Sequence, residues 1–154
     1  MQESVFAPDD SMTRSMLVAV LHRLEGTPEP SQKEDFLDVP QDAWYGSAAD
    51  WAAQEGITVG TGEGAFSPDL PITREMLAVM LYRYAGSPQI AEGAQSVQFT
   101  DLESISAWAQ DAVEWACDTG VLMGDPQGTL RPQANSTRAE VATMLERFVA
   151  NSLE

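Results

Sequence analysis

Apolar residues recur at helical spacing in three segments of the chain, each directly following a threonine. A spacing of three and four residues predicts an amphipathic α-helix, and Thr13, Thr73 and Thr137 are suited to cap its N-terminus. We expect the three apolar stripes to pack together in a mainly α-helical protein. The stripes are Leu17, Val20, Leu21 and Leu24; Leu77, Met80, Leu81 and Tyr84; and Val141, Met144, Leu145, Phe148 and Val149.

A second kind of helix precedes the second and third of these segments. It is predicted from near Ala43 to Glu55 and from near Ser106 to Thr119, and Gly56 and Gly120 should end it in the left-handed conformation. A glycine-rich loop then leads to the next stripe. Each unit therefore reads as a front helix, a loop and a back helix. The front stripe is Trp44, Ala48, Trp51 and Ala52.

These units are internal repeats. The back half occurs three times, at offsets of 60 and 64 residues, and includes Phe6-Ala-Pro8 in the first copy and Phe66-Ser-Pro68 in the second. The front half occurs twice, beginning at Phe36-Leu-Asp38 and at Phe99-Thr-Asp101. We assign repeat 1 to residues 4–30 (its C-terminal half only), repeat 2 to 36–88 and repeat 3 to 99–152, together forming one domain of tandem helix-loop-helix repeats.

Charge and composition exclude several functions. With 24 acidic and 8 basic residues the net charge is −16, which disfavours nucleic acid and anionic membranes as partners, and no apolar run is long enough to span a bilayer. Cys117 and His22 are the only cysteine and histidine. The chain therefore has too few of these residues for a zinc site, a disulfide or a Ser-His catalytic pair. We expect no enzymatic activity, no metal and no cofactor.

Three arginines lie in the first turn of a helix, an unfavourable position for a positive charge. Arg14, Arg74 and Arg138 each follow the helix cap, where the helix dipole disfavours a cation. A guanidinium beside free backbone N–H groups could instead bind a carboxylate, and removal of Arg74 should then leave stability nearly unchanged. The alternative is an ion pair with an aspartate of a neighbouring repeat, Asp38 or Asp101.

Three other arginines, Arg23, Arg83 and Arg147, lie near the C-terminal ends of the back helices, where the dipole favours a cation. They need no functional role, and replacing Arg83 should affect binding little.

Two tryptophans and two glycines are further candidates. Trp44 and Trp108 could stack on sugar rings or belong to the core, the role that we expect for Trp51 and Trp115. Gly60 and Gly124 would allow close approach of a ligand to the backbone, although turn geometry alone explains them equally well.

Together these motifs resemble the S-layer homology repeat over nearly the whole chain. That repeat opens with Phe-x-Asp-Val, continues through Gly-Ile-x-x-Gly and Phe-x-Pro, and ends on a helix beginning Ile-Thr-Arg-Ala-Glu. The matching stretches are Phe36-Leu-Asp38-Val39, Gly56-Ile57-Thr-Val-Gly60, Phe66-Ser-Pro68 and Ile72-Thr73-Arg74 in repeat 2, and Phe99-Thr-Asp101-Leu102, Gly120-Val121-Leu-Met-Gly124, Leu130-Arg-Pro132 and Thr137-Arg138-Ala139-Glu140 in repeat 3.

The resemblance implies a pseudo-threefold helical bundle that anchors surface proteins without catalysing a reaction. Its grooves between repeats would bind an anionic, pyruvylated secondary cell-wall polysaccharide linked to peptidoglycan, outside the membrane of a Gram-positive-type cell, in its wall or S-layer. A structural self-assembly or protein–protein interaction module with degenerate grooves is the alternative. The ligand-binding residues that carry over are Arg14, Arg74, Arg138, Trp44, Trp108, Asp38, Asp101, Gly60 and Gly124.

The chain departs from the family pattern in three ways. Its loops Gly60-Thr-Gly-Glu-Gly64 and Gly124-Asp-Pro-Gln-Gly128 lack the aromatic residue of the Gly-Tyr-x-Asp-Gly loop that many members have. Met16 and Met76 stand where the motif has glutamate, and we expect the loss of this capping residue to cost about 1 kcal/mol of helix stability rather than binding. The truncated repeat 1 leaves one side of its back helix uncovered. We therefore expect the chain either to self-associate through the open side of repeat 1 or to leave that side of its back helix mobile.

Overall fold

The computed structural model describes residues 9–34, 36–40, 42–90 and 99–152. Within these ranges the chain is mainly α-helical, as predicted, and its only β-type pairings are isolated bridges. The helices are α1 (Arg14–Leu24), α2 (Gly46–Gln54), α3 (Arg74–Tyr84), α4 (Gln110–Asp118) and α5 (Arg138–Ser152), with 3-10 turns at Leu102–Ser104 and Ala107–Ala109. None of the helices in this part of the chain is both long and apolar enough to cross a bilayer. The Phe6-Ala-Pro8 motif lies outside the described residues.

The back helices α1, α3 and α5 begin where the sequence predicts. Each is preceded by its threonine, whose hydroxyl accepts a hydrogen bond from a backbone N–H of the first turn. These bonds are Met16 N to Thr13 Oγ1 (3.3 Å), Met76 N to Thr73 Oγ1 (3.2 Å) and Glu140 N to Thr137 Oγ1 (3.1 Å). The predicted N-caps are thus confirmed.

The front helices pack against the back helix of the preceding repeat, α2 on α1 and α4 on α3. They end as predicted, because Gly56 and Gly120 have φ angles of +73° and +77°. Helix α2, however, begins at Gly46 rather than near Ala43. Trp44 therefore lies in the turn before the helix and is 66% exposed, so its predicted place on the apolar stripe is wrong.

A ring of three backbone hydrogen bonds joins the repeats at equivalent positions. The N–H of Met12 donates to Ser136 O (2.9 Å), the N–H of Ser136 to Ile72 O (2.8 Å), and the N–H of Ile72 to Met12 O (2.8 Å). These residues directly precede the capping threonines of the three back helices. The ring gives the bundle its pseudo-threefold symmetry and brings the three helix starts together.

Buried tryptophans lie between consecutive back helices. Trp51 of α2 contacts His22 and Tyr84, with ring centroids 5.3 and 6.2 Å apart. Trp115 of α4 contacts Tyr82 and Phe148 at 5.5 and 6.1 Å. The predicted core role of both tryptophans is confirmed, and each front helix fills the space between two back helices.

The space between α5 and α1 forms an open apolar groove of about 480 Å³. Leu24, 48% exposed, and Val149 contribute to it. We call it the uncovered groove, because its lining corresponds by the repeat offsets to the surfaces that α2 and α4 cover. It is lined by Val20, Leu24, Ala142, Leu145, Glu146, Val149 and Ala150.

Candidate functional site

A groove of about 440 Å³ brings together parts of all three repeats, and we call it the first groove. Arg14 comes from repeat 1, the loop 57–61 and one face of α3 from repeat 2, and Trp108 from repeat 3. Three of the predicted ligand-binding residues, Arg14, Gly60 and Trp108, thus meet in one place. The full lining is Arg14, Ile57, Thr58, Val59, Gly60, Thr61, Met76, Val79, Met80, Arg83 and Trp108.

The Arg14 side chain lines this groove and is only 5% exposed. Its Nε donates to Phe66 O (2.9 Å) and its Nη2 to Thr58 Oγ1 (2.7 Å), while Cζ lies 5.2 Å from the centroid of the Phe66 ring. Burial lowers the pKa of Arg14, and the nearby Asp38 carboxylate partly offsets this effect. The guanidinium therefore ties α1 to the loop of the next repeat.

The start of α1 does not offer free N–H groups to a ligand, so that part of our prediction is wrong. The N–H groups of Arg14 and Ser15 donate to the carbonyls of Leu70 and Pro68, both at 3.0 Å. The carbonyls of the neighbouring repeat thus accept hydrogen bonds from N–H groups that have no acceptor within the helix itself. The same repeat supplies the acceptors of the guanidinium, Phe66 O and Thr58 Oγ1, which explains why an arginine is accepted in the first turn.

A second groove, of about 180 Å³, lies at the equivalent place one repeat later. Its arginine is Arg74, 6% exposed, whose Nε donates to Leu130 O (2.6 Å) and whose Nη2 donates to Met123 O (3.0 Å). The third donor, Nη1, forms a 2.9 Å ion pair with Glu140 Oε2. This burial reverses our expectation that removing Arg74 leaves stability unchanged. The second groove is lined by Arg74, Met123, Glu140, Thr143, Met144 and Arg147.

The two predicted aspartates hold the loops in which the arginines are seated. Asp38 accepts hydrogen bonds from the N–H groups of Phe66 and Ser67, both at 2.8 Å. Asp101 accepts from those of Leu130 and Arg131, both at 2.9 Å. Burial raises the pKa of Asp38, but these N–H donors and the charge of Arg14 outweigh it, so that this pKa lies below its usual value.

Both predicted glycines are required by tight packing within the loops. A Cβ at Gly60 would lie 2.5 Å from Ala65 O, and its φ is +81°. A Cβ at Gly124 would collide with the ring of Phe99. Contacts within the protein thus explain why both positions require glycine, although Gly60 also lines the first groove.

The remaining two candidates stand apart from the two grooves. Trp44 is exposed and contacts Tyr45 edge-on, with centroids 5.2 Å apart. Arg138 is half-buried at the start of α5, where its N–H donates to Asp10 O at 2.8 Å. By the repeat offsets both belong to a third position between repeats 3 and 1.

Two groove residues, Arg83 and Arg147, were not predicted from the sequence. Arg83 lines the first groove and Arg147 the second, and both are half-buried. The sequence contains a pattern that indicates the position of Arg83. Met76, Met80 and Arg83 follow a spacing of four and three residues, which places them on one helix face. Our expectation that these arginines need no functional role was based on the helix dipole alone.

Comparison with known proteins matches two segments of the chain to one family. The family model for the S-layer homology domain matches residues 35–75 and 98–142, more than half of the chain. An amylopullulanase from Thermoanaerobacterium thermosulfurigenes is 31% identical over 99% of the chain, an endoglucanase from Bacillus sp. (strain KSM-635) 32% over 95%, and a cellulosome-anchoring protein from Acetivibrio thermocellus 29% over 93%.

The chain spans only 8%, 16% and 33% of the length of these three relatives. The similarity therefore concerns one module within proteins of different names. The matched segments contain the capping threonine, the first-turn arginine and the loop aspartate of repeats 2 and 3. The chain belongs to the S-layer homology domain family.

Proposed function

We propose that this chain is a non-catalytic anchor that holds a surface protein to the secondary cell-wall polysaccharide, itself linked to peptidoglycan. The family assignment places it at the cell wall or S-layer of a Gram-positive bacterium. A relative named for cellulosome anchoring and two enzymes carry similar modules as a small part of their length. Any catalytic activity would reside in other parts of such a protein.

The first groove is the observation that carries this proposal. It combines an exposed indole, Trp108, with two arginines, Arg14 and Arg83. An indole face is suited to stacking on a sugar ring, and arginine pairs with a carboxylate through charge-assisted hydrogen bonds. A pyruvylated sugar offers a partner for both, and the pairing of its carboxylate with these arginines would oppose the repulsion expected between an anionic polymer and a chain of net charge −16.

Arg83 is the cation that a ligand in this groove can reach most directly. It is half-buried, and its one hydrogen bond within the described part of the chain, from Nη1 to Ile57 O, is long at 3.4 Å. Arg14, by contrast, makes two short bonds to the loop. Arg83 can therefore turn toward a ligand without breaking a strong contact.

Binding to purified wall sacculi tests the proposal. The chain should cosediment with intact sacculi and lose this binding when their polysaccharide is stripped by acid. Esterifying the carboxylates of the polysaccharide should also abolish binding, whereas moderate salt should weaken it little, since a partly buried ion pair is screened less than surface charges. Equal binding to stripped and intact sacculi would contradict the proposal.

The repeats supply matched control variants. Trp108→Ala and Arg83→Ala should each weaken sacculus binding about tenfold, the loss of one stacking contact or one charge-assisted hydrogen bond. Arg23→Ala changes the equivalent arginine of repeat 1, which is exposed and lies outside the two grooves. This variant should bind as well as the unchanged chain.

The uncovered groove supports a second partner, another copy of the chain. It exposes Leu24 and Val149 beside Val20 and Leu145, and apolar surfaces of this kind favour association. Self-association without any affinity for sacculi would favour the alternative function, a structural module whose grooves bind nothing.

A further inference from the structure

The turn that carries Trp108 into the first groove is held by a buried carboxylate of another repeat. The 3-10 turn Ala107–Ala109 begins at Ser106. The N–H of Ser106 donates to Oε2 of Glu75 (2.9 Å), and its hydroxyl donates to Oε1 of the same carboxylate (2.7 Å). Among the residues that the structure describes, these are the hydrogen bonds that connect the segment 102–109 with repeat 2.

Glu75 is 3% exposed, a degree of burial that is rare for a glutamate. It lies in the first turn of α3, where the helix dipole favours a negative charge. A buried carboxylate is nevertheless costly unless its oxygens accept hydrogen bonds, and each oxygen has one donor from Ser106. Hydrogen bonds to a charged acceptor are stronger than neutral ones, so the contact joins α3 firmly to the turn.

The position of Ser106 determines where the indole of Trp108 lies. The carbonyl of Ser106 accepts the N–H of Ala109 at 2.9 Å and closes the turn around Trp108. Trp108 is itself 59% exposed, so few contacts of its own side chain hold it in place. Met76, the residue after Glu75, lines the same groove as the indole. Glu75 therefore lies directly behind the groove without lining it.

This contact is not repeated elsewhere in the described part of the chain. By the repeat offsets, the residue of α1 that corresponds to Glu75 is Ser15, whose hydroxyl lies 3.1 Å from that of Thr13. The residue that corresponds to Ser106 is Asp42, which is exposed. The paired carboxylate and serine thus belong to the first groove in particular and not to the general construction of the repeats.

We propose that Glu75 is a positioning residue of the first groove, whose carboxylate fixes Ser106 and thereby keeps the indole of Trp108 where a sugar ring can stack on it. The inference rests on the proposed function and adds a residue that does not touch the ligand. Without this contact the groove keeps all its lining side chains, but the ligand must order the indole on binding, which lowers the affinity.

Positioning and charge predict opposite effects. A carboxylate close to a groove that receives an anionic sugar repels the ligand, so that by charge alone Glu75→Ser would strengthen binding. Positioning predicts that this variant binds more weakly. Glu75→Gln is the conservative variant, because its amide can accept the Ser106 N–H and donate to the hydroxyl. It should retain most of the affinity.

Cosedimentation with intact sacculi measures these effects, and Trp108→Ala completes the test. Glu75→Ser should weaken binding about three- to tenfold, within the loss caused by Trp108→Ala, because it acts through the same stacking contact. In a chain that already carries Trp108→Ala, Glu75→Ser should cause no further loss. Glu103→Ser removes an exposed carboxylate from the preceding turn and should not weaken binding. Losses that multiply in the double variant would overturn the proposal.

Fluorine NMR of the chain labelled with 5-fluorotryptophan reports on the indole without any ligand. The chain has four tryptophans, and the signal that disappears in Trp108→Ala is that of Trp108. Glu75→Ser should move this signal toward its position in the urea-unfolded chain, whereas Glu75→Gln should leave it nearly unchanged. The signal of Trp44, whose turn lacks such a contact, should stay in place in both variants.

A merely structural role of Glu75 would give a different result. Glu75→Ser would then lower the midpoint of thermal unfolding, but the folded variant would keep its Trp108 signal and its full affinity, and the proposal would be wrong. Should Glu75→Ser fail to fold, Ser106→Ala decides by the same measurements, because it removes the hydroxyl and keeps the N–H contact. If the unchanged chain does not bind sacculi, the anchoring function is wrong, and the fluorine signal still decides whether Glu75 positions Trp108.

Discussion

Ser136 and Ile72 occupy equivalent positions in the ring that joins the repeats, and the Ser136 N–H donates to Ile72 O at 2.8 Å. Both side chains are fully buried. The Ser136 hydroxyl has no hydrogen-bond partner within the described residues, whereas the isoleucine leaves no polar group unsatisfied. Here the third repeat keeps the backbone contact but places a polar group in the core.

Ser136→Ala should therefore stabilise the protein by about 1 kcal/mol, because it removes an unsatisfied buried hydroxyl, and should raise the midpoint of thermal unfolding by about 2–4 °C. Ser15→Ala is the matched control. Ser15 is also buried, but its hydroxyl lies 3.1 Å from that of Thr13, so its removal should destabilise. The same change in both variants would contradict this prediction.

Arg74→Ala should lower the free energy of unfolding by about 2–4 kcal/mol, since it removes three contacts of a buried cation and leaves two carbonyls and Glu140 unpaired. Urea denaturation measures the loss. Arg83→Ala, which removes one long hydrogen bond, should change stability by less than about 1 kcal/mol. Equal stability of the two variants would show that the buried contacts of Arg74 contribute little.

Acid should weaken the loop that Asp38 holds. The pKa of Asp38 is lower in the folded chain than its usual value of about 3.9. Its contribution to stability is therefore complete above about pH 4–5 and is lost as the pH falls through the folded-state pKa. Asp38→Asn should be less stable than the unchanged chain at pH 7, and the difference should shrink toward pH 3 in urea titrations. A difference that stays constant over this range would contradict the assignment.

The single thiol should react slowly. Burial raises the pKa of Cys117 to about 11, and only the thiolate attacks alkylating reagents. At pH 8 the folded chain should react with iodoacetamide roughly 100-fold more slowly than the urea-unfolded chain, whose thiol has a pKa near 8.5. Mass spectrometry of quenched samples measures both rates. Equal rates would show that the half-buried thiol is accessible.

The uncovered groove predicts concentration-dependent association. The mass from light scattering should rise above that of one chain (16.7 kDa) as concentration increases. Leu24→Glu should restore the single-chain mass, because it places a charge in the apolar groove. Leu37→Glu, which changes an exposed leucine outside this groove, should not. A single-chain mass at all concentrations would exclude this contact.

The sequence by itself determined the helices, their caps and their ends, because these depend on local spacing and on threonine and glycine at fixed positions. Thr73 caps the N-terminus of α3, and Gly56 ends α2 in the left-handed conformation, both as expected. The errors in these elements concerned the first turns of the front helices. Trp44 lies in the turn before α2, and Trp108 lies in the 3-10 turn before α4, which begins at Gln110 rather than near Ser106.

The tertiary structure alone decided what the arginines do. The helix dipole concerns only the helix to which each arginine belongs. The oxygen atoms that accept hydrogen bonds from the guanidinium groups of Arg14 and Arg74 lie 44 to 66 residues away, in the next repeat. The first groove likewise joins side chains of three repeats, and the second groove joins side chains of two. Since local pattern carries no information about which repeat lies beside which, the groove residues and the ion pair of Arg74 with Glu140 became visible only in the packed bundle.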